Sequence, residues 1–484
     1  MRHRTAIGTS KDGWPSGALK IDSTPAASPP MTRYSAPEST HNEHWRFSDP
    51  SSESHTDDLT LLGNRRFLQE TVARWKACNE APPIAMIMMD LDRFKQVNDT
   101  LGHEMGDKLL KLVAERTKRA AHPDDLILRL GGDEFIVLRA LYEGSTDSAD
   151  VDALASKLVE MLSRPFLVNG QQINIGASAG VSVLNQGTNN VDDLMRHADL
   201  ALYDAKEAGR GTYKRFTPNL EEVAIKRRAL EVSLRRALGL KEFKLQYQPQ
   251  VDLPEGNIVG FEALLRWHNE ERGLVFPGDF IPIAEETGEI VQIGEWVLKT
   301  ACLDAMNWPS HLHVAVNVSP VQFENSQFVQ SVRNALERSG LPPHRLEIEI
   351  TEGVLMHKQE MALEHLSAIR DMGVSIAMDD FGTGYSSLSY LNDYPFSKIK
   401  IDQMFVRGEK SKKSKALVEA IISLGSSLGM KTLAEGVETS EQYDELLNGG
   451  CLGAQGYLIS KPMSANDIDA FMAEYTDVEN KKIA

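Results

Sequence analysis

Two acidic stretches hold the residues whose types and spacing could do chemistry. In Met378-Asp379-Asp380-Phe381-Gly382-Thr383-Gly384-Tyr385, adjacent carboxylates close an apolar segment, Val374 to Met378, and a glycine-punctuated turn follows. A strand that stops on charge and passes into a loop delivers side chains to the C-terminal rim of a parallel sheet, where α/β folds keep their chemistry. Paired carboxylates there suit metal ions, with a solvated turn as the plain alternative. In Met89-Asp90-Leu91-Asp92-Arg93-Phe94-Lys95 acids again end an apolar run. Gly131-Gly132-Asp133-Glu134-Phe135 adds two more on a turn that backbone or phosphate can approach closely. These acids suit Mg2+ bridging a triphosphate, although a lone Gly-Gly turn is often only a turn. Lys206 and Arg210, four apart, could offer both charges to phosphate oxygens or form a solvated basic face.

The elements that must position these residues follow from hydrophobic period. Residues 1 to about 55, rich in Ser, Thr, Pro and His, read as a disordered arm. From 56 to 217 the pattern predicts helices at Asn64–Cys78, Leu101–Ala121, Val151–Leu162 and Val191–Ala208. Strands are predicted at Ile84–Met89, at Leu126–Leu138 (two, split by the Gly-Gly turn), at Gln171–Ile175 and at Ala177–Val183. Helices alternating with hairpins imply an α+β domain with a largely antiparallel sheet. Residues 218–240 read as a charged helical spacer, with a dimerising coiled coil as the sharper alternative.

From 241 to 476 strands and helices alternate cleanly, and 477–484 is left as a tail. Strand-like segments fall at Leu245–Val251, Ile258–Leu265, His313–Ser319, Leu346–Thr351, Ser375–Asp380, Ser397–Asp402, Lys431–Glu435 and Gly453–Tyr457. Helical segments are Ile281–Met306, Gln327–Ser339, Gln359–Met372, Lys415–Leu428, Ser440–Asn448 and Ala465–Glu474. About 240 residues of this rhythm predict a TIM-like (β/α)8 barrel. The short turn between its first two strands predicts that one strand runs against the others.

Composition narrows the function classes. At 484 residues the chain exceeds one ordinary core. The 69 Asp and Glu against 52 Lys and Arg leave a net charge of −17, which argues against broad nucleic-acid or anionic-lipid binding. Three scattered cysteines, Cys78, Cys302 and Cys451, suggest neither a disulfide framework nor a zinc ribbon. No apolar run reaches the roughly 20 residues of a membrane span, and the first residues lack a signal-peptide pattern. A cytoplasmic location is the expectation. Nothing ahead of Asp57 has the pattern of a sensory domain, so a sensory partner protein is expected to bring the input.

In the second half, polar residues fall where strands are predicted to end: Glu262, Asn317, Glu349, Glu352, Asp379, Asp380, Lys400, Glu435, Glu438 and Gln455. So many carboxylates around one lysine would not stay ionised in a partly dry cleft unless divalent cations neutralise them. Oxygen ligands without His or Cys favour Mg2+ or Mn2+ over zinc. Paired metals suit phosphodiester hydrolysis, and a structural cation site is the alternative.

These residues carry a resemblance. Tyr247-Gln248-Pro249, Glu262-Ala263-Leu264-Leu265-Arg266, Asn317-Val318-Ser319, Glu349-Ile350-Thr351-Glu352, the Asp379-Asp380 stretch, Lys400-Ile401-Asp402, Glu435-Gly436-Val437-Glu438 and Gln455-Gly456-Tyr457 resemble the EAL family of cyclic di-GMP phosphodiesterases from about Leu230 to Phe471. The resemblance implies that Glu262, Asn317, Glu349 and Asp379 hold one metal, with Asp380 toward a second. It implies that Lys400 and Glu435 orient and activate water, Glu435 as the base, and that Arg266 and Gln248 meet the ligand's phosphate and guanine. Glu352, Glu438 and Gln455 are similar to positions that border the ligand and brace the Asp-Asp loop.

The first half, about Asp57 to Phe216, resembles a GGDEF diguanylate cyclase domain. That implies Mg2+ ligation by Asp90, the Leu91 carbonyl and Asp133, guanine recognition by Asn98 and Asp107, and phosphate contacts from Lys95, Lys206 and Arg210. Two GTP would be condensed across a homodimer, with Asp133 and Glu134 assisting deprotonation. Two departures stand out. The family's inhibitory Arg-x-x-Asp appears as His122-Pro123-Asp124-Asp125, which puts product inhibition in doubt, and Leu-Thr-Gly-Leu-Pro-Asn-Arg appears as Leu59-Thr60-Leu61-Leu62-Gly63-Asn64-Arg65. The leading expectation is an enzyme that both makes and breaks cyclic di-GMP. The others are a phosphodiesterase with a GTP-binding regulatory domain, and a non-catalytic cyclic di-GMP receptor.

Overall fold

This computed structural model describes residues 47, 50, 52–78, 82–141, 148–184, 191–356, 359–382, 394–407 and 412–483. Thr383, Gly384 and Tyr385 of the acidic turn, and residues 1–46 of the N-terminal arm, lie outside them. The chain divides into two compact units, one ending at Leu220 and one beginning at Glu221. Among the described residues no helix is long and apolar enough to cross a membrane.

The first unit carries strands β1 (Ile84–Asp92), β2 (Leu126–Gly131), β3 (Glu134–Ala140), β4 (Phe166–Val168), β5 (Gln171–Ile173), β6 (Gly176–Leu184) and β7 (Tyr213–Arg215). Five of them form a sheet in the order β2-β3-β1-β6-β7, antiparallel except for the β6–β7 pair. β1 reads as a near-continuous apolar run because both its faces are covered. Ala85, Ile87 and Met89 pack on one side with Leu109, Val113 and Leu158, while Ile84, Met86 and Met88 pack on the other with Phe67, Val72, Trp75 and Leu194. At Gly180 the helix Val191–Glu207 comes so close that an added Cβ would lie 2.0 Å from the Ala198 carbonyl oxygen.

Three local expectations change. The helix predicted at Leu101–Ala121 runs His103–Ala120, and a separate helix, Phe94–Leu101, which sequence period did not show, precedes it across Gly102 at φ 84°. The Gln171 strand joins β4 in a separate hairpin rather than the main sheet, over the two-residue turn Asn169-Gly170, both at positive φ. β7, which sequence period did not show, is only three residues long.

The second unit is a closed barrel of eight strands: β8 (Phe243–Asp252), β9 (Ile258–Asn269), β11 (His313–Val318), β12 (Leu346–Thr351), β13 (Ser375–Phe381), β14 (Lys398–Ile401), β15 (Lys431–Ala434) and β16 (Gly453–Ala454). β10 (Gly273–Val275), also missed, extends β9 as a hairpin. β8 runs antiparallel to both its neighbours and the other barrel pairs are parallel, so the predicted reversed strand is the first one. The predicted helix Ile281–Met306 is two, Pro277–Thr287 and Ile290–Ala305, with Gly288 in the left-handed region closing the first. The last helix, Ile468–Ile483, runs past Glu474 into the expected tail, since no Gly or Pro intervenes. Pro218–Ala237 is helical, but Leu230, Leu234 and Ala237 are buried in the barrel's core and Arg227 pairs with Glu286 at 2.7 Å. Its second half is therefore packed structure, not a free spacer.

Candidate active site

Strand alternation builds the barrel site. Glu349 on β12, Lys400 on β14, Asp379 on β13 and Glu262 on β9 turn their side chains into the barrel, and Glu435 follows β15 directly. Glu262 does not end its strand, as the sequence pattern suggested. It sits early in β9, opposite Gln248 on β8, because β9 continues past the mouth to pair with β10. Lys400, fully buried, is the hub. Its Nζ lies 2.7 Å from Glu349, 2.7 Å from Glu435, 3.1 Å from Asp379 and 3.7 Å from Glu262.

One ammonium cannot balance these four carboxylates and the adjoining Asp380. Burial works against the Lys400 charge, yet Asp379, Glu262, Glu349 and Glu435 together hold it well above the ordinary lysine value. Complete burial pushes the Glu349 carboxyl well up, with Lys400 opposing and Glu262 and Asp379 adding. Burial likewise pushes Glu435 up to about 7 and Asp380 up to about 6, Asp379 adding in both cases. Glu349 Oε1 is buried and has no hydrogen-bond partner among the described residues. Asp379, Asp380 and Glu435 can bring one oxygen each within 4.8 Å of one another. An orphaned oxygen and surplus negative charge in an all-oxygen donor set fit divalent cations.

The Asp379-Asp380 turn is strained to present its acids. The β13–β14 register shifts between Met378 and Phe381, and Asp380 is a non-glycine residue at φ 53°. Asp380 N donates to Asp379 Oδ1 at 3.0 Å, and Gly382 N donates to Glu352 Oε1 at 2.9 Å, tying the turn to the segment after β12. Asn317 donates to Glu262 Oε1, and Gln455 Nε2 donates to Glu262 Oε2 and Gln248 Oε1. Arg266 is half-buried, its guanidinium donating to Gln246 Oε1 at 2.9 Å and to the Leu265 carbonyl. Among the described residues Glu438 is exposed and pairs with Arg407 at 2.6 Å. Sequence reading passed over Asp402, which hydrogen-bonds Asp380. Its place in Lys400-Ile401-Asp402 was the available signal.

The first unit's candidates are looser. Asp90 and Glu134 face each other across β1 and β3, with Asp133 on the turn beside them. Burial raises the Asp90 carboxyl, opposed by its hydrogen bond from Lys206, and burial together with Asp90 and Asp199 raises Glu134. Lys206 Nζ sits 2.7 Å from Asp90 Oδ1 rather than standing free for phosphate. Leu91 is buried in the core. Asn98 packs where a Cβ on Gly106 would lie, and Lys95 and Asp107 are exposed beside it. Arg210, at φ 64°, lines a cavity of about 730 Å3 together with Asp92, Arg93 and Gly209.

Arg129, which sequence reading missed, anchors the Gly-Gly turn. It donates to the Gly132 carbonyl at 2.6 and 3.0 Å while its other nitrogen pairs with Asp57 at 2.9 Å. In the stretch His122-Pro123-Asp124-Asp125, both Asp125 oxygens are bound by Arg139, at 2.8 and 2.7 Å, and the His122 side chain is exposed. Asp125 thus closes its own loop.

Residues 231–462 match the model of the EAL domain, and residues 54–212 match that of the diguanylate cyclase, GGDEF domain. A relative from Pseudomonas aeruginosa named bifunctional diguanylate cyclase/cyclic di-GMP phosphodiesterase MucR is 42% identical over 424 residues, 86% of this chain and 61% of its own length. Cyclic di-GMP phosphodiesterase PdeR of Escherichia coli is 35% identical over 428 residues, 87% of this chain and 64% of its own. The chain spans about half the length of other curated relatives it matches, 51% and 50%. The structure of the EAL enzyme Bd1971 with cAMP and cyclic-di-GMP bound superposes with a TM-score of 0.50 at 31% identity, covering 62% of this chain and 82% of that one. Vibrio cholerae LapD S helix-GGDEF-EAL, bound to c-di-GMP, shares the fold at a TM-score of 0.57 and 19% identity, covering 84% and 96%.

Proposed function

The chain belongs to the GGDEF–EAL family, a diguanylate cyclase-type domain followed by an EAL domain, and from that premise we propose that it turns over cyclic di-GMP. The barrel hydrolyses it to linear pGpG, and the first unit synthesises it from two GTP. The observation that carries the hydrolytic reading is the buried acid ring with its orphaned Glu349 oxygen. Glu262, Asn317, Glu349 and Asp379 would hold one Mg2+ or Mn2+, with Asp380 toward a second. Bound there, the ions lower the pKa of water and neutralise charge on the phosphoryl oxygens.

The chain's own groups do the rest. Glu435 takes the proton of the attacking water as the new phosphorus–oxygen bond forms, and the bond from phosphorus to the 3′ oxygen breaks, that oxygen taking a proton from solvent. Lys400, 2.7 Å from Glu435, holds that carboxylate in place. Arg266 and Gln248 border the mouth for the phosphate and guanine, alongside Glu352 and Gln455.

For synthesis, Asp90, the Leu91 carbonyl and Asp133 would hold Mg2+, with Asp133 and Glu134 assisting deprotonation of the 3′ hydroxyl. Asn98 and Asp107 would read guanine, and Lys95, Lys206 and Arg210 would meet phosphates. Because one such unit presents one GTP, a homodimer is part of this proposal, as is a cytoplasmic location where GTP is available. A sensory partner would set the balance. The second reading, hydrolysis alone with the first unit as a GTP-binding regulator, is favoured by the Lys206–Asp90 pair, which occupies a metal carboxylate.

Purified protein given cyclic di-GMP with Mg2+ or Mn2+, and separately GTP with Mg2+, decides between them by chromatography. pGpG from the first and pyrophosphate from the second support turnover in both directions. Hydrolysis without pyrophosphate selects the second reading, and no reaction in either arm defeats both.

A further inference from the structure

Beneath the acid ring the barrel interior carries a second polar layer that the reaction does not use. Glu347 and Lys398 lie two residues before Glu349 and Lys400 on β12 and β14, so strand alternation sends all four inward. Lys398 Nζ donates to Glu347 Oε1 at 2.6 Å and to Gln250 Oε1 at 3.3 Å, and His313 Nε2 lies 3.1 Å from the same Gln250 oxygen. Gly260 leaves room for this layer: a Cβ there would stand 2.6 Å from the His313 ring. Glu347, Lys398 and Gln250 are all buried.

The layer connects upward through amides. Gln250 Nε2 donates to Gln455 Oε1 at 3.1 Å, and Gln455 Nε2 donates to Glu262 Oε2 at 2.5 Å and Gln248 Oε1 at 3.1 Å. A carboxamide has a donor end and an acceptor end of nearly equal shape, so two linked glutamines could run in either direction. An ammonium only donates. Lys398 therefore draws the Gln250 oxygen toward itself, which turns Gln250 Nε2 to Gln455 Oε1 and leaves Gln455 Nε2 facing Glu262. With the relay reversed, the Gln455 carbonyl would face a buried carboxylate. Stability does not explain the ion pair, because a buried pair can often be replaced by apolar residues of similar volume without loss.

We propose that the Glu347–Lys398 pair is a positioning device: through Gln250 and Gln455 it sets the hydrogen-bond polarity at Glu262 and holds that carboxylate ready for a divalent cation. This rests on reading the acid ring as a cation site. The test is Mn2+ titration by calorimetry on the full chain, with unfolding midpoints and hydrolysis of cyclic di-GMP measured alongside. The double variant Glu347→Met/Lys398→Met should keep its unfolding midpoint, yet bind Mn2+ about 10-fold or more weakly and lose kcat with little change in KM. Gln250→Glu, similar in shape but unable to donate, should show the same loss, and it decides alone should the double variant fail to fold. If the folded variants bind Mn2+ like the wild type, the pair is only packing and the proposal is overturned. Absence of Mn2+ binding by the wild type would overturn the cation-site reading itself, and this proposal with it.

Discussion

The two acidic sites differ in how much of their environment one chain supplies. In the barrel, four carboxylates converge on a fully buried lysine with Asp380 adjoining, and every strand contributing to them is locked by its neighbours. On the sheet of the first unit, Asp90 on β1 faces the half-exposed turn of Asp133 and Glu134, and Lys206 already balances Asp90. Surplus buried charge is expensive, so the barrel is poised to gain a cation with little rearrangement. In the proposed function the open hairpin depends on what arrives: a triphosphate with its metal, and a second copy.

The comparison can be broken most sharply at Glu262. Glu262→Ala should lower hydrolysis more than about 100-fold while pyrophosphate release from GTP is unchanged, measured on one preparation. Asp133→Ala should do the converse, cutting pyrophosphate release by about 100-fold with hydrolysis intact. Loss of both activities in either variant, still folded by circular dichroism, would mean that the two regions are not separate sites.

A structural difference comes next. Arg129 is a buried clamp on the Gly-Gly turn, whereas among the described residues the barrel turn is braced by two backbone N–H groups donating to carboxylates. Arg129→Met should destabilise the first unit by about 3 kcal/mol, because Asp57 and the Gly132 carbonyl are left without their partner, and should shift its urea midpoint without moving that of the barrel.

The smallest effect concerns pH. Without metal, Asp380 is pushed up to about 6 and Glu435 to about 7, so the folded barrel binds more protons than the unfolded chain. Their contribution to stability is present below the ordinary carboxylate range and lost as pH rises through 6 and then 7. Thermal melts of EDTA-treated protein should show the barrel transition falling between pH 5 and pH 8, and added Mn2+ should restore it most at pH 8, where the carboxylates are ionised. A flat profile would show that the acids do not repel one another as their packing implies.

Much of the scaffold was legible because period and breakers are local. The apolar runs ending in Asp90 and Asp379 marked β1 and β13, and the short turn after Val251 marked the reversed first strand. The split at Gly288 was overlooked because apolar period continues across a glycine whose conformation does not. β7 and β10, three residues each, are too short to carry a period.

Within the sites, residue type alone singled out the acids and Lys400, since charge in an apolar strand is conspicuous. It grouped Glu438 by motif with the Asp-Asp loop, and among the described residues the partner of that carboxylate is Arg407. It passed over Arg129 and Gln250, whose partners, Asp57 and Lys398, lie far away in sequence.

What the sequence determined by itself is the inventory: two metal-capable acid sets, the tandem architecture and the strands that carry them, all fixed by alternation and spacing along a local stretch. Only the tertiary structure decided which oxygen meets which donor. That choice depends on barrel closure, which brings β8, β9, β12, β14 and the Gln455 segment within hydrogen-bond reach across more than two hundred residues of chain.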